Sequence, residues 1–334
     1  MSIKAQQGGN VMKRIACIGS VTTDILVKPA DAIPAPGVLQ SVETVQMHVG
    51  GCAANAAMDL ARLGIPADLL CLTGNDNFGE FVKTSCRKAG VGVEGIQSRD
   101  GIPTTGSVVC ISSAGERSFL YCDGSTAAFC ETDVNEAVLQ ASDIVFVAGA
   151  MLLNSFDGEP CARLMQRMRA AGKFTVMDTA WDSSNTWLPK IDAVLPHLDL
   201  FMPSYDEAVR LSDEIETERI ADFFFDKGVG SVIIKLGSRG AYICETRDNR
   251  YTLPTYSGVK PVDTTGAGDS FCAGFLAGLS MGWGYRNSGK LANAVGTHCI
   301  MAIGATGAIG SVEEMLQFMK DHTDEIPFDC EAAE

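Results

Sequence analysis

Short apolar runs alternate with amphipathic patterns along most of the chain. The runs predict strands over residues 15–18, 67–72, 144–148, 174–177, 200–202 and 232–235. Between two of them, Cys161, Leu164, Met165 and Met168 recur at the spacing of one helix face, and Gly172 follows where such a helix would end. Strands that alternate with helices are typical of a parallel sheet with crossover helices, so the pattern predicts an α/β fold.

Two stretches depart from this rhythm. Val45, Met47 and Val49 alternate with polar residues, and residues 105–123 have the pattern of a hairpin around a Ser-Ser-Ala-Gly turn. Alternation of apolar and polar residues indicates a sheet with one solvent-exposed face, unlike the buried strands of a parallel sheet. We therefore predict a small β-structure that projects from the main sheet, with a β-meander at the domain edge as the alternative.

Composition and charge narrow the class of protein. The 334 residues are 46% hydrophobic and 20% charged, as in globular chains of one large or two medium domains. Lys and Arg number 26 against 41 Asp and Glu, and the net charge of −15 disfavours nucleic acid and membrane surfaces as partners. No apolar run reaches the roughly 18 residues of a spanning helix, and the start lacks the features of a signal peptide. We therefore expect a cytoplasmic protein.

Twelve cysteines raise the question of a metal site. None belongs to a C-x-x-C pair and only four histidines are present, so the ligand spacings of a zinc site are missing. We expect most of the cysteines to be small core residues. Residues 1–12 are predicted to be a loose extension and residues 321–334 an acidic tail, which leaves 13–320 as the domain.

Glycine-rich turns that precede helices are candidate phosphate sites. The segment 284–290 fits G-x-x-x-x-G-K, but Leu291 replaces the Ser or Thr of a P-loop, and a helical segment precedes it where a P-loop needs a strand. Glycines at 304, 307 and 310 have the wrong spacing for a dinucleotide fingerprint, and no G-x-G-x-x-G follows the first strand. The main sequence evidence for a nicotinamide dehydrogenase, the dinucleotide fingerprint, is therefore missing.

A third glycine-rich turn has the right context. Gly266, Ala267 and Gly268 precede a helix whose apolar positions include Phe271. Three successive N–H groups at a helix N-terminus attract negative charge, and the helix dipole adds to the attraction. Asp269 follows directly, and it either caps the first turn or acts as a base for a hydroxyl that attacks a phosphate.

At these residues the chain resembles the ribokinase-like (pfkB) family of carbohydrate kinases. Residues 263–271 (DTTGAGDSF) are similar to the family's C-terminal signature, and residues 50–57 (GGCAANAA) are similar to its N-terminal signature. The order of the two segments also matches, and the resemblance covers residues 13–320. It implies a three-layer α/β/α Rossmann-like core with a small β-sheet lid, formed from about 36–49 and 102–123.

The resemblance also implies an activity, the ATP-dependent phosphorylation of a sugar or nucleoside hydroxyl. By motif match, Asp269 would be the base. The amides of Gly266, Ala267 and Gly268 would stabilise the transferred phosphoryl group. The hydroxyls of the acceptor would be held by Asp24, Gly50, Gly51 and Asn55. For Asn55 the alternative is an amide on the surface of its helix.

A nucleotide site and a magnesium site follow from the same resemblance. The residues that would line the nucleotide site are Lys235, Gly237, Gly240 and Asn293. Lys235 replaces a small Thr of the family, so a solvated lysine is the alternative. Glu207 matches the acidic residue of the family's N-x-x-E motif, which handles Mg²⁺ and phosphate, whereas Ser204 replaces its Asn.

In the resembling family, the stretch before the anion site joins a second loop around a monovalent cation such as K⁺. The residues that would supply oxygens here are Asp263, Thr265, Ala302, Ala305, Gly307 and Ser311. The alternative is that Asp263 only caps the turn before Gly266. The open edge of a lid sheet also invites pairing with a second copy, which makes a homodimer through the lid a further expectation.

The fold does not fix the acceptor. A phosphorylated sugar needs converging cations, but the candidates are scattered in sequence: Lys28, Arg62, Arg99 and Arg117. A nucleoside needs aromatic walls, and the lid stretches offer only Phe119 and Tyr121. We therefore expect a small unphosphorylated sugar or sugar derivative, with a nucleoside kinase or a phosphosugar kinase as alternatives. A non-catalytic sugar-binding relative is the alternative from another class.

Overall fold

The computed structural model describes residues 12–302, 304–305, 307 and 309–322. The predicted N-terminal extension and acidic tail lie outside these residues, apart from Met12, Asp321 and His322. The bounds of the domain, 13–320, therefore stay a prediction.

The main sheet has nine strands within the described residues, in the order β13-β12-β11-β10-β9-β8-β1-β4-β5. Strands from β11 to β5 in this order are parallel, and β12 and β13 run antiparallel to their neighbours. Each predicted strand is present. The strands are β1 Ile15–Gly19, β4 Ala67–Gly74, β5 Ile96–Arg99, β8 Ile144–Ala150, β9 Phe174–Thr179, β10 Leu200–Phe201, β11 Ser231–Lys235, β12 Ala241–Cys244 and β13 Arg250–Leu253.

Helices cover both faces of this sheet, which gives the predicted three-layer core. Alternate residues of β1 show why its sequence is apolar throughout: Ile15 and Cys17 join one buried cluster, and Ala16 and Ile18 join the other. The helices are α1 Cys52–Arg62, α2 Asn77–Lys88, α3 Gly124–Ala128, α4 Glu136–Gln140, α5 Glu159–Ala170, α6 Tyr205–Ser212, α7 Thr217–Asp226, α8 Ala267–Ser280, α9 Tyr285–Cys299 and α10 Val312–Asp321.

A separate four-stranded sheet forms the lid, in the order β3-β2-β6-β7. Its strands are β2 Thr22–Lys28, β3 Thr44–Gly50, β6 Gly106–Ile111 and β7 Arg117–Cys122. The predicted projecting β-structure is therefore confirmed. The meander alternative is wrong. In a meander, consecutive strands pair antiparallel, whereas β2 and β6 pair in parallel and are separated along the chain by helices and strands of the core. The sequence did not predict β2, which mixes Asp24 and Lys28 with apolar residues and is only partly buried.

Candidate active site

The N-terminus of α8 forms the candidate anion site. Its N-cap, Gly266, has φ 79°, a left-handed conformation that favours glycine. A Cβ at this position would lie 2.7 Å from the carbonyl oxygen of Ala305, so the turn also needs glycine for space. The first amides of a helix have no intrahelical acceptor, so this end of α8 is a place where an anion can bind. The Ala267 N–H donates to the Thr264 carbonyl oxygen at 3.3 Å, while the amides of Gly266 and Gly268 lie on either side of it.

Asp269, in the first turn of α8, is held by a second helix. The Asn55 Nδ2 donates a hydrogen bond of 2.8 Å to the Asp269 Oδ2. Burial raises the pKa of Asp269, whereas the bond from Asn55 and the charge of Lys235 lower it. The alternative of a surface amide is wrong, since Asn55 is only 5% exposed. Its Oδ1 is buried without a partner among the described residues, and it is free to accept from a ligand.

The predicted acceptor residues lie where β2 of the lid meets α1. The Asp24 carboxylate accepts hydrogen bonds from Ser107 Oγ at 2.6 Å and from Thr22 Oγ1 at 3.1 Å. A Cβ at Gly50 would collide with the Asp24 carboxylate. Gly51 caps α1 with φ 93°, and a Cβ there would lie 2.6 Å from the carbonyl oxygen of Ser20. Gly50 therefore lets the backbone approach the Asp24 carboxylate closely, and Gly51 lets the start of α1 approach the backbone at Ser20.

Strand register brings a lid tyrosine to the same face as Asp24. Asp24 pairs with Ser107 across β2 and β6, and Ser107 pairs with Tyr121 across β6 and β7. Directly paired residues project to one face of a sheet, so all three side chains face the core. Sequence reasoning did not give Ser107 a role, because only the pairing of β2 with β6 brings it to Asp24.

The predicted nucleotide residues converge on one cavity of about 520 Å³ beside α8. Lys235, Gly237, Gly240 and Asn293 all line it, together with Ala267 and Gly268 of the anion site. The Asn293 Nδ2 donates to the carbonyl oxygen of Pro254 at 2.8 Å, which holds one wall in place. The volume lies within the usual range of small-molecule sites.

Lys235 points toward the anion site from the end of β11. Its Nζ lies 2.7 Å from the Asp178 carboxylate, and a Cβ at Gly268 would lie 3.4 Å from the same Nζ. Burial raises the pKa of Asp178 to about 7, against the charge of Lys235. Burial alone would lower the pKa of Lys235, but the charge of Asp178 raises it. The alternative of a solvated lysine is therefore wrong, and sequence reasoning missed Asp178 because it lies far away along the chain.

Ser204 and Glu207 form a capping box at the start of α6. The Glu207 Oε2 accepts from the Ser204 N–H and from Thr179 Oγ1, both at 3.0 Å, and Ser204 Oγ accepts from the Glu207 N–H. The box accounts for Ser at this position, since S-x-x-E is a helix-start pattern that the sequence already contains. No group of three or more His, Cys, Asp or Glu is arranged around a metal position in the part of the chain that the structure describes.

The loops predicted to hold a monovalent cation meet at Asp263. Its Oδ1 accepts from the Thr265 N–H at 3.0 Å, and its Oδ2 accepts from the Gly304 N–H at 2.9 Å. The Cys299 Sγ lies 3.4 Å and 3.2 Å from the carbonyl oxygens of Thr265 and Ala305, so the two carbonyls converge. Asp263 therefore caps the turn and also joins the two loops. Of the remaining predicted residues, Ala302 and Gly307 lie in the loop between α9 and α10, and Ser311 caps α10.

A buried carboxylate lies at a helix N-terminus, with a cavity of about 520 Å³ on one side and a second carboxylate under the lid on the other. This arrangement is typical of a phosphotransferase that acts on a hydroxyl. The model of the pfkB family carbohydrate kinases matches residues 12–312, and the chain belongs to that family.

Two relatives and one solved structure show how far the likeness extends. The chain is 30% identical to the 2-dehydro-3-deoxygluconokinase of Bacillus subtilis, over 85% of this chain and 90% of that protein. It is 31% identical to the fructoselysine 6-kinase of Escherichia coli, over 70% of this chain and 82% of that protein. Its fold matches the ribokinase of Arabidopsis thaliana, solved with ribose and ATP, with a TM-score of 0.81 at 24% identity, over 93% and 99% of the two chains.

The chain is therefore an ATP-dependent carbohydrate kinase, as the resemblance implies, and the dehydrogenase alternative is wrong. Its relatives carry the names of several different sugar kinases, so the family fixes the reaction class and leaves the acceptor open. Among the described residues, no helix is long and apolar enough to cross a membrane.

Proposed function

We propose that the enzyme transfers the γ-phosphoryl group of ATP to a hydroxyl of a small, unphosphorylated sugar or sugar derivative, with Asp269 as the base. One observation carries the proposal. The Asp269 carboxylate, held by Asn55 at 2.8 Å, lies in the first turn of the helix whose amides form the anion site. Base and anion site are therefore adjacent, as phosphoryl transfer to a hydroxyl requires.

In this proposal Asp269 accepts the proton of the acceptor hydroxyl. The hydroxyl oxygen forms the new bond to phosphorus, and the bond from phosphorus to the ADP oxygen breaks. Burial raises the pKa of Asp269 and so makes its carboxylate a stronger base, while the Asn55 bond and the charge of Lys235 act against this rise. The amides of residues 266–268 stabilise the charge on the transferred group.

The nucleotide occupies the 520 Å³ cavity, with its phosphates between Gly268 and Lys235. Magnesium fits this end of the cleft, because the buried carboxylates of Asp178 and Glu207 interact electrostatically near Asp269 and offer the oxygen ligands that Mg²⁺ prefers. Glu207 and Asp178 would hold the ion through water. When bound, it neutralises charge on the phosphates.

The acceptor lies between α1 and the lid, with its hydroxyls on Asp24, on the Asn55 Oδ1 and on the backbone of Gly50 and Gly51. This assignment is supported by the unpartnered Asn55 Oδ1 and by Gly50, which brings backbone next to the Asp24 carboxylate. A carboxylate and an amide suit a polyhydroxyl ligand, because one accepts two hydroxyl protons and the other both donates and accepts.

Charge pairing disfavours a phosphorylated acceptor. Two of the arginines that could bind its phosphate are engaged with a carboxylate, Arg99 with Asp133 and Arg117 with Asp263, and Arg62 lies 3.8 Å from the buried carboxyl group of Asp59. Lys28 lies at the far, exposed end of β2. The nucleoside alternative keeps some support, since Tyr121 and Phe119 are both more than half exposed on the core-facing side of the lid.

Three further proposals concern the surroundings of the site. A monovalent cation on the Asp263 loop is supported by the convergence of the Thr265 and Ala305 carbonyls. A homodimer through the lid is supported by its outward face, which exposes Val45 and Leu120. A cytoplasmic location is supported by the cysteines of the described part, which are all free thiols.

A panel of acceptors tests the substrate class directly. Release of ADP is measured with neutral sugars, sugar acids, nucleosides and sugar phosphates, each with MgATP and each against a control without acceptor. We expect the highest kcat/KM for an unphosphorylated sugar or sugar acid. A nucleoside or a sugar phosphate as the best acceptor would contradict the proposal and select one of the alternatives.

A further inference from the structure

An arginine of the lid reaches across the cleft to the loop before the anion site. Arg117 is the first residue of β7, and its Nη2 lies 2.5 Å from the Asp263 Oδ2. Its Nη1 also donates to Thr265 Oγ1 at 2.5 Å. The guanidinium therefore contacts two residues of the core through two different nitrogens, an arrangement that fixes its orientation as well as its position.

The carboxylate that Arg117 contacts holds the loop in shape. The Asp263 side chain is only 3% exposed, and its carboxylate accepts hydrogen bonds from the Thr265 N–H and from the Gly304 N–H. Burial raises the pKa of Asp263, but the bonds from Arg117 and from the two backbone N–H groups lower it to about 2. A buried carboxylate that stays ionised needs a cation beside it, and the lid supplies one. The next residue after this turn is Gly266, the N-cap of α8.

The other end of β7 faces the acceptor. Tyr121 lies four residues after Arg117 and projects to the same face, about 13 Å away at the usual rise of a strand. It pairs with Ser107, whose hydroxyl donates to Asp24 at 2.6 Å. One strand therefore carries a contact to the acceptor site at one end and a contact to the anion-site loop at the other.

We propose that Arg117 is a positioning residue for phosphoryl transfer, which holds the anion-site loop through Asp263 and Thr265 and so couples acceptor binding to nucleotide binding through β7. This inference rests on the proposed acceptor and anion sites. Coupling of this kind is reciprocal, so the acceptor tightens the nucleotide by the same factor as the nucleotide tightens the acceptor.

The test measures this coupling without turnover. Calorimetry gives the affinity of the Mg²⁺ complex of the β,γ-imido analogue of ATP, with and without the best acceptor of the panel, at constant K⁺. For the wild type we expect the acceptor to tighten the analogue by about 5- to 50-fold. Arg117→Ala should bring this factor close to one and lower kcat by about 10- to 100-fold. By reciprocity it should also raise the acceptor KM at saturating MgATP by about the factor that is lost, while the acceptor affinity of the nucleotide-free enzyme stays within about threefold. The coupling factor of Arg117→Lys should lie between those of the wild type and Arg117→Ala, since lysine keeps the positive charge but lacks the two terminal nitrogens of the guanidinium.

The matched control is Arg99→Ala, which removes an arginine joined to Asp133 at the same 2.5 Å but outside the cleft, and which should leave the coupling unchanged. If Arg117→Ala does not fold, Thr265→Val removes one guanidinium contact and keeps the buried ion pair. It should lower the coupling by a smaller factor.

An unchanged coupling factor in the folded Arg117 variant, or a wild type without coupling, would overturn the inference. Neither result bears on Asp269 as the base, because no measurement of coupling depends on proton transfer.

Discussion

In the proposed site the phosphates bind at the core end of the cleft, to backbone amides at one helix N-terminus and to a buried lysine. The acceptor binds at the lid end, to side chains from separate strands. The core end is built from consecutive residues, 263–269, in a conformation that glycine makes possible. The lid end is assembled by register, which aligns Asp24 with Ser107 and Ser107 with Tyr121. The backbone end suits a constant substrate, and the side-chain end can vary with the acceptor.

Apart from the base itself, the largest effect in this comparison is expected at Lys235. Lys235→Met removes the positive charge beside Gly268 and should lower kcat/KM for ATP by about 10²-fold, the usual cost of one lost electrostatic contact to a transition state. Because this change leaves Asp178 buried without its cation, the control is the double variant Lys235→Met, Asp178→Asn, which keeps the site neutral. Activity of the double variant within about threefold of the wild type would show that Lys235 only balances Asp178.

A smaller effect, in KM for the acceptor, is expected at the lid end. Asp24→Ala removes a charged hydrogen-bond acceptor and should raise KM by about 10- to 100-fold, with a smaller change in kcat. Ser107→Ala is the matched control, because it removes only the hydroxyl that holds Asp24. Unchanged acceptor affinity of Asp24→Ala in calorimetry would reduce Asp24 to a partner of Thr22 and Ser107.

The smallest effect concerns stability beneath the core end. Asp59, one turn after Asn55, is fully buried and accepts from Ser270 Oγ at 2.6 Å. Burial raises the pKa of Asp59 to about 8, against the Ser270 bond and the charge of Arg62. The folded state therefore keeps a proton on Asp59 that the unfolded chain loses near pH 4. The contribution of this proton to the free energy of unfolding is complete below pH 4 and is lost as pH rises through about 8.

The side chain of Asp59→Asn does not ionise. The free energy of unfolding of this variant should therefore fall less between pH 5 and pH 9 than that of the wild type. We expect a gain over the wild type of about 1–3 kcal/mol at the upper end of this range, measured by urea unfolding. Exposed Asp248→Asn is the control, and it should follow the wild type at every pH. Parallel pH profiles of the wild type and Asp59→Asn would show that Asp59 is ionised in the folded state.

The same contrast explains what could be predicted from the sequence. The core strands that were predicted are buried on both faces, so their sequences are continuous apolar runs, and the anion site is one unbroken segment. The edge strands β5 and β13 are only partly buried and were not predicted. β2 was missed because Asp24 and Lys28 interrupt its apolar residues and the strand is only partly buried. Asp178 and Arg117 were missed as members of the site because each acts through a partner distant in sequence, Lys235 and Asp263. The capping box of Ser204 and Glu207 could have been found, since its spacing is local.

The activity of Asp269→Asn is the most direct test of the central claim, that Asp269 is the base beside the anion site. The amide keeps the shape of the side chain and loses the ability to accept a proton. We expect kcat to fall by about 10²- to 10⁴-fold, with the affinity for the MgATP analogue and the melting temperature close to those of the wild type. A kcat within about threefold of the wild type would contradict the assignment of Asp269 as the base.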